Sequence, residues 1–279
     1  MNQRPKQPPD QTHYPRLLKR LRQPLSFVLV LVVWLLIWQV VYWRVGQDLL
    51  LASPLQVFQR LVSHMQQAAF WLTVLYSFLR IQAGFLLGLA CGTALAIITV
   101  QVNFLRLFFS PAISAIRSTP VASFIILALV WMSNSKVVVF IVFLMVLPII
   151  WANVAEGIEK TSSELLEMSR VFRLSQWEVI RYIYVPSVAP FFVTAATTGL
   201  GLGWKAGIAA EVLSRPPFSL GGKLYDAKIY LETADLLAYT MVVVLLSLAL
   251  EKILMLIFRS AGFYFQAHGL AAEKEDTDT

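Results

Sequence analysis

Residues 25–43, LSFVLVLVVWLLIWQVVYW, run for about 19 positions without a charge, and no other feature limits the possible folds as strongly. A helix rises 1.5 Å per residue, so such a run covers roughly 29 Å, close to the ~30 Å hydrocarbon core of a bilayer. In water it would expose apolar surface on every side. The run predicts a membrane-spanning helix. Composition agrees, because the chain is 58% hydrophobic and only 14% charged, outside the usual mix of soluble domains.

The segment before this span carries Arg16, Lys19, Arg20 and Arg22. The apolar run that follows is too long for a signal peptide and has no small-residue cleavage site, so the first helix is expected to stay. The net charge of +7 does not point to nucleic acid, since six of the 23 Lys and Arg fall in residues 4–22, beside the span. Basic residues there mark the cytoplasmic side. Cys91 is the single cysteine, and His13, His64 and His268 are far apart in sequence. That gives neither a disulfide framework nor a local metal-ligand pattern.

Further along, residues 48–79 read as an external segment in which Ser53-Pro54 opens an amphipathic stretch, and a second span is expected over 81–101. Residues 102–120, with Arg106, Pro111, Arg117 and Pro120, read as a cytoplasmic connection. The apolar run 121–132 that follows is too short to cross alone, at roughly 18 Å, and must borrow residues or sit short inside a bundle. Spans over 137–155, 187–208 and 236–258 complete six, and the acidic end 273–279 reads as a solvated tail. The expected fold class is an all-α membrane protein of about six transmembrane helices, with the N-terminus, the 157–186 connection and the C-terminus in the cytoplasm.

Two ladders of glycine at four-residue spacing stand out: Gly84, Gly88 and Gly92, then Gly199, Gly203 and Gly207. Each places three small residues on one helix face, where two backbones can approach closely. Helix packing is the plain reading, and a gating role for these faces is the other. The nearby Gly201-Leu-Gly203 looks like a fragment of a dinucleotide fingerprint, but no βαβ unit surrounds it.

The connection at 162–186, SSELLEMSRVFRLSQWEVIRYIYVP, is strongly charged for so apolar a chain. Thr161 with Glu164 and Ser175 with Glu178 each fit a capping box. Two helices are therefore expected, over about 162–172 and 176–185, the second stopped by Pro186. Glu167 with Arg170 and Glu178 with Arg181 are spaced as ion pairs worth a few tenths of a kcal/mol. Leu165, Leu166, Met168, Val171 and Phe172 put apolar surface on a water-facing hairpin. A solvated connector without a partner and a surface waiting for cover both remain open here.

The segment resembles the cytoplasmic loop of ABC-importer permeases, whose pattern is Glu-Ala-Ala, three residues, Gly, nine residues, Ile, one residue, Leu-Pro. Glu167, Ile183 and Pro186 match it in register; Met168 and Ser169 stand for the alanines, Arg173 for the glycine and Val185 for the leucine. Ala52-Ser-Pro54, the Pro111, Arg117 and Pro120 segment, Asn153, Gly157 and Trp204-Lys-Ala-Gly-Ile-Ala-Ala-Glu211 are similar to the sulfonate, taurine and nitrate type, and the likeness covers roughly residues 50–258. The resemblance implies a type I importer permease fold: a basic cytoplasmic segment 1–24, a transmembrane permease domain 25–258 holding the coupling loop, and a cytoplasmic tail 259–279.

It also implies that Glu164, Glu167, Met168, Ser169, Arg170, Arg173, Ile183 and Pro186 belong to a loop that couples the spans to ATP-hydrolysing subunits. The Gly-to-Arg change matters, because a positive φ at that turn costs a non-glycine residue roughly 1–2 kcal/mol. The implied partners are ABC ATPase subunits, an extracytoplasmic solute-binding protein, a second permease copy as a homodimer, and membrane lipid. The implied location is the cell membrane of a prokaryote. The chain has no Gly-x4-Gly-Lys-Ser/Thr, so any ATP and its magnesium are expected on a separate subunit, with no catalytic residue, cofactor or metal in this one.

Thr194, Thr197, Thr198, Lys205 and Glu211 are the candidates for a solute path. Lys205 falls ~28 Å along a straight helix from Pro186, near the outer end of the fifth span. It either snorkels to the interface or faces the path, where it would favour an anion such as a sulfonate. Glu211, six residues on, falls on a different helix face. Two other classes stand beside this reading. A non-transporting scaffold would fit the same spans, and an intramembrane enzyme would have to use Ser118, Ser123, Thr197 or Glu211, which lack a histidine or second carboxylate at helical spacing.

Overall fold

A computed structural model describes the backbone of residues 14–260 and the side chains of residues 28–260. The expected acidic tail 273–279 and the first part of the basic arm lie outside the described residues. Within those residues the chain is helical, with no strand.

The first helix, α1 (Tyr14–Val45), contains the charge-free run and from Val28 is exposed except at Trp38, Gln39 and Tyr42, which are half-buried. It meets the rest at Trp38, whose Nε1 donates to the Ala52 carbonyl at 3.1 Å and whose ring packs against the buried cluster of Ala52, Val57 and Ala238. Ser53 caps α2 (Pro54–Met65) in a complete capping box with Gln56, and Pro54 occupies the first turn, where its missing N–H costs nothing.

The next helix, α3 (Ala68–Gln101), has 34 residues and is longer than the expected span 81–101. Residues 68–79 belong to this helix and not to an external link. Their polar groups made the stretch look like a connector, yet Thr73 and Ser77 are buried there. Each is satisfied, Thr73 by the Ala69 carbonyl at 2.9 Å and Ser77 by a distant carboxylate.

Most of the expected connection 102–120 is likewise helical, as α4 (Asn103–Ser118). It is followed by α5 (Val121–Trp131), and the two axes bend by 106°. Pro120, without an N–H to continue the ladder, sits at the break. The short apolar run thus joins α4 in a broken span, which with the five long apolar helices gives up to six crossings.

The centre of the bundle is α6 (Asn134–Glu159), packed along α3 on one side and along α9 on the other. Val137, Val138, Ile141, Val142, Val146 and Ile150 are fully buried between them. The glycine ladders make this possible. A Cβ on Gly84 would meet the Val139 carbonyl oxygen at 2.5 Å, one on Gly88 would meet Val146 Cβ at 2.8 Å, and one on Gly92 would meet Ile150 Cβ at 2.9 Å. From the other side, Cβ atoms on Gly203 and Gly207 would lie 3.0 Å from Val146 and 2.7 Å from Ile81, whereas Gly199 has ordinary clearance of 3.5 Å. Beyond the hairpin come α7 (Ser163–Val171), α8 (Gln176–Val179), a π turn (Ile180–Tyr184) and α9 (Val185–Ser214), then α10 (Leu220–Ile229) and α11 (Thr233–Ser260).

Candidate coupling hairpin and translocation face

The hairpin begins where α6 stops. Thr161 donates back to the Gly157 carbonyl at 3.3 Å, and the hydroxyl that caps the next helix is that of Ser162, accepting from Leu165 N at 3.3 Å. The expected Thr161–Glu164 box is therefore replaced by a Ser162 cap. At the far end of α7, Leu174 N bonds to the Ser169 carbonyl at 2.9 Å and Arg173 N to the Arg170 carbonyl at 3.1 Å. With Arg173 at φ 53°, this is a Schellman termination in which arginine takes the left-handed position usually given to glycine. The turn keeps its shape, and the side chain bears the strain.

The second arm starts with the expected box: Glu178 N donates to Ser175 Oγ at 3.3 Å, and Ser175 N donates to the Glu178 carboxylate at 2.7 Å. It does not stop at Pro186. The five residues Ile180–Tyr184 form a π turn, with Val185 N bonding to the Ile180 carbonyl, and the helix continues to Ser214. A proline inside an α-helix collides with the carbonyl four residues back; the wider π turn immediately before it makes room. The expected pairs Glu167–Arg170 and Glu178–Arg181 do not close within 4 Å among the described residues. Glu178 is held by Ser175, and the Arg181 guanidinium lies 5.8 Å from the centre of the Tyr182 ring.

Of the coupling candidates, Ser169 and Ile183 are buried and Pro186 is half-buried, while Glu164, Glu167, Met168, Arg170 and Arg173 are exposed. The apolar tip is open too, with Val171 at 78% and Phe172 at 70% exposure, and Leu165 and Trp177 beside it. Under the hairpin, between α3, α6 and α9, lies a cavity of about 980 Å³ bordered by Thr93, Val154, Arg170, Tyr184 and Phe192. Arg106 pairs with Glu159 and Lys160 with Glu156 at this same end of the bundle.

Along α9 the structure separates the path candidates. Thr194, Thr198 and Lys205 are exposed and follow one helix face, Thr197 is half-buried, and Glu211 is fully buried on the other side. Both Thr194 and Thr197 return their hydroxyl protons to carbonyls one turn back, at 2.9 and 2.8 Å. Glu211 anchors a polar knot at the end of the bundle away from the hairpin. Ser77 donates to its carboxylate at 2.8 Å, Arg80 at 3.3 Å and Gly221 N at 3.1 Å. Arg80 and Ser77 were not singled out from the sequence. A lone arginine inside an otherwise apolar stretch was the available signal.

A bundle of long and broken spans with a charged helical hairpin at one end is the architecture of a membrane permease. The chain belongs to the family of binding-protein-dependent transport system inner membrane components, whose model matches residues 84–261. It is the permease subunit of an ABC importer, a multi-pass protein of the bacterial inner membrane. It is 28% identical over 218 residues to the nitrate import permease protein NrtB of Synechococcus elongatus, covering 75% of this chain and 78% of that relative. The bicarbonate transport system permease protein CmpB of the same species is 25% identical over 164 residues, 58% of this chain and 59% of CmpB. In fold it is similar to the MetNI methionine ABC transporter in an inward-facing conformation (TM-score 0.52, 18% identity, 68% of this chain and 93% of that one). It is equally similar to an amino acid ABC transporter crystallised with histidines (TM-score 0.53, 15% identity, 68% and 94%). These likenesses carry the type I importer permease fold.

Proposed function

We propose that this subunit, paired with a second copy of itself, forms the path by which a small oxyanion such as nitrate or bicarbonate enters the cell. The observation that carries this reading is the face of α9: Thr194, Thr198 and Lys205 stand exposed on a helix whose other side is packed into the core. Polar and cationic side chains at membrane depth are stable only against protein or a water-filled cavity. A facing copy supplies both. The similarity to nitrate and bicarbonate permeases supports an anionic solute.

In this reading the hairpin from Thr161 to Pro186 docks on a separate ATPase, which covers Val171 and Phe172 and binds the ATP and magnesium. The N-terminus, the hairpin and the C-terminus lie in the cytoplasm, and the external binding protein meets the opposite end, at α2 and α10. The domain boundaries at 24 and 258 follow from the same arrangement. The test is nitrate uptake and binding-protein-stimulated ATP hydrolysis by the purified complex, compared with Lys205→Gln and Lys205→Glu. For an anion the Glu variant falls below the Gln variant while assembly and basal hydrolysis stay normal. Equal, near-wild-type uptake by both would make Lys205 an interface anchor.

A further inference from the structure

The cavity of about 980 Å³ beneath the hairpin is as deep as one leaflet of a bilayer is thick. Two of its walls are α3 and α9, which run in opposite directions: α3 arrives at the hairpin end with Gln101, and α9 leaves it with Val185. On α3 the wall extends from Thr93 to Gln101, eight residues or ~12 Å of helix. On α9 it extends from Val185 to Phe192, or ~10 Å. One leaflet contributes ~15 Å to a ~30 Å hydrocarbon core.

Polarity is graded along this depth. Val188 and Phe192 line the deep end with Ile97, and Gln101, Gln176 and Arg170 line the hairpin end. Among the described residues no carboxylate lies within 4 Å of Arg170, since the acids that form ion pairs there are Glu156, Glu159, Glu211 and Asp235. The lining is also open to the outside between two spans. Ile97 on α3 is 44% exposed and Val185 on α9 is 42% exposed, so the mouth has an apolar rim that continues up to the exposed Arg170. An apolar opening in the side of a bundle suits hydrocarbon better than water.

We propose that this cavity binds an anionic phospholipid of the leaflet on the hairpin side, with an acyl chain lying between α3 and α9 and the phosphate at Arg170. Basic pockets between spanning helices retain anionic headgroups in this way. A zwitterionic headgroup carries its own cation beside the phosphate and gains less from the arginine. Leu166 and Leu174 of the hairpin close over the chain, so an occupied site braces the hairpin against α3. The site is distinct from the translocation face: Phe192 precedes Thr194 by two positions, about 160° away around α9. The inference is therefore independent of the solute carried.

The experiment uses the full permease–ATPase complex in phosphatidylcholine nanodiscs. A trace of phosphatidylglycerol or phosphatidylcholine bearing a photoreactive diazirine in its acyl chain is added, and crosslinked peptides are read by mass spectrometry. Label in residues 93–101 and 185–192, measured against label on the exposed span α1, should favour the phosphatidylglycerol probe about 5-fold, the effect of one arginine beside an anionic headgroup. Arg170→Lys keeps that preference and Arg170→Gln brings it to unity. Ile97→Trp, at the mouth, removes label by either probe; Val188→Trp, filling the cavity from α9, serves if the first variant does not assemble. Label no higher than on α1, equal label by the two probes, or a preference unchanged by Arg170→Gln overturns the inference. So does label that appears only after residues 261–279 are removed, which would make the chain's own end the occupant. A disulfide between two Ile97→Cys subunits in a Cys91→Ser background would put a second copy at the mouth and overturn it as well.

Discussion

The Arg80 guanidinium lies 3.3 Å from the Glu211 carboxylate, joining α3 to α9 across 131 positions of sequence. Its other donors reach the Pro217 and Phe218 carbonyls at 2.6 and 3.0 Å, so one side chain holds both the second helix and the turn that follows it. That turn carries two non-glycine residues with positive φ, Arg215 and Phe218. Arg80→Leu would leave Glu211 charged and buried without its cation, at a cost of about 3–5 kcal/mol. Arg80→Leu with Glu211→Gln removes the stranded charge and should recover part of the loss. Thermal unfolding of the purified subunit in detergent checks the order: wild type above the double variant, and the double variant above Arg80→Leu.

The glycine positions separate by what a methyl would touch. Gly84→Ala drives a Cβ onto a backbone oxygen at 2.5 Å, while Gly201→Ala meets nothing within 4 Å. The first should cost about 1–3 kcal/mol through overpacking. The second should be neutral or stabilising by up to ~1 kcal/mol, because alanine restricts the unfolded chain and favours helix. Unfolding midpoints of the two variants in the same detergent decide it, and equal losses would contradict the packing described for α3 and α6.

At the hairpin, Arg173→Gly should relieve a left-handed arginine and stabilise the turn by about 1 kcal/mol. If the arginine side chain also meets the ATPase, the same variant loses affinity while its turn becomes more stable. Co-purification with the ATPase, together with proteolysis of the hairpin in the isolated subunit, reads the two effects apart.

Phe172→Ser, at the end of α7, and Glu167→Lys, on it, both alter the exposed surface of the hairpin. Each should lower recovery of the ATPase in pull-down and reduce uptake, with membrane insertion of the subunit unchanged. Full transport by both would return the hairpin to a solvated connector.

Topology is tested with a cysteine at Ser163, in the first turn of α7, in a Cys91→Ser background. An impermeant thiol reagent added to intact cells should leave it unmodified and should label it after permeabilisation. Labelling from outside would invert the proposed orientation.

What the sequence made legible was whatever depends on neighbours in the chain. Apolar length gave the long spans, and the Ser175–Glu178 spacing gave a capping box that forms as expected. Four-residue glycine spacing marked helix faces before any partner helix was known. What it hid depended on distant groups. Thr73 and Ser77 looked like residues of an external segment, and Arg80 fell between that segment and the span, because the partners of Ser77 and Arg80, in Glu211 and the 217–220 turn, lie more than 130 positions away. Of the two adjacent hydroxyls at 161 and 162, Ser162 takes the cap and Thr161 turns back to the Gly157 carbonyl. The continuity through Pro186 rests on a carbonyl five residues back, which the pattern of side chains does not encode.

The π turn at Ile180–Tyr184 also sets an angular phase. Closing each ring around one more residue than an α-helix does, it acts as a single-residue insertion between the hairpin and the span. At 3.6 residues per turn, deleting one residue there and restoring an α-helix would rotate everything beyond it by about 100° relative to the hairpin. Thr194, Thr198 and Lys205 would then swing off their present bearing toward α6 or the lipid, and the buried side of α9 would swing outward. In the proposed arrangement, the alignment between the surface offered to the motor and the surface offered to the solute is thus stored in the count of five residues, and a one-residue deletion would uncouple the two without altering either.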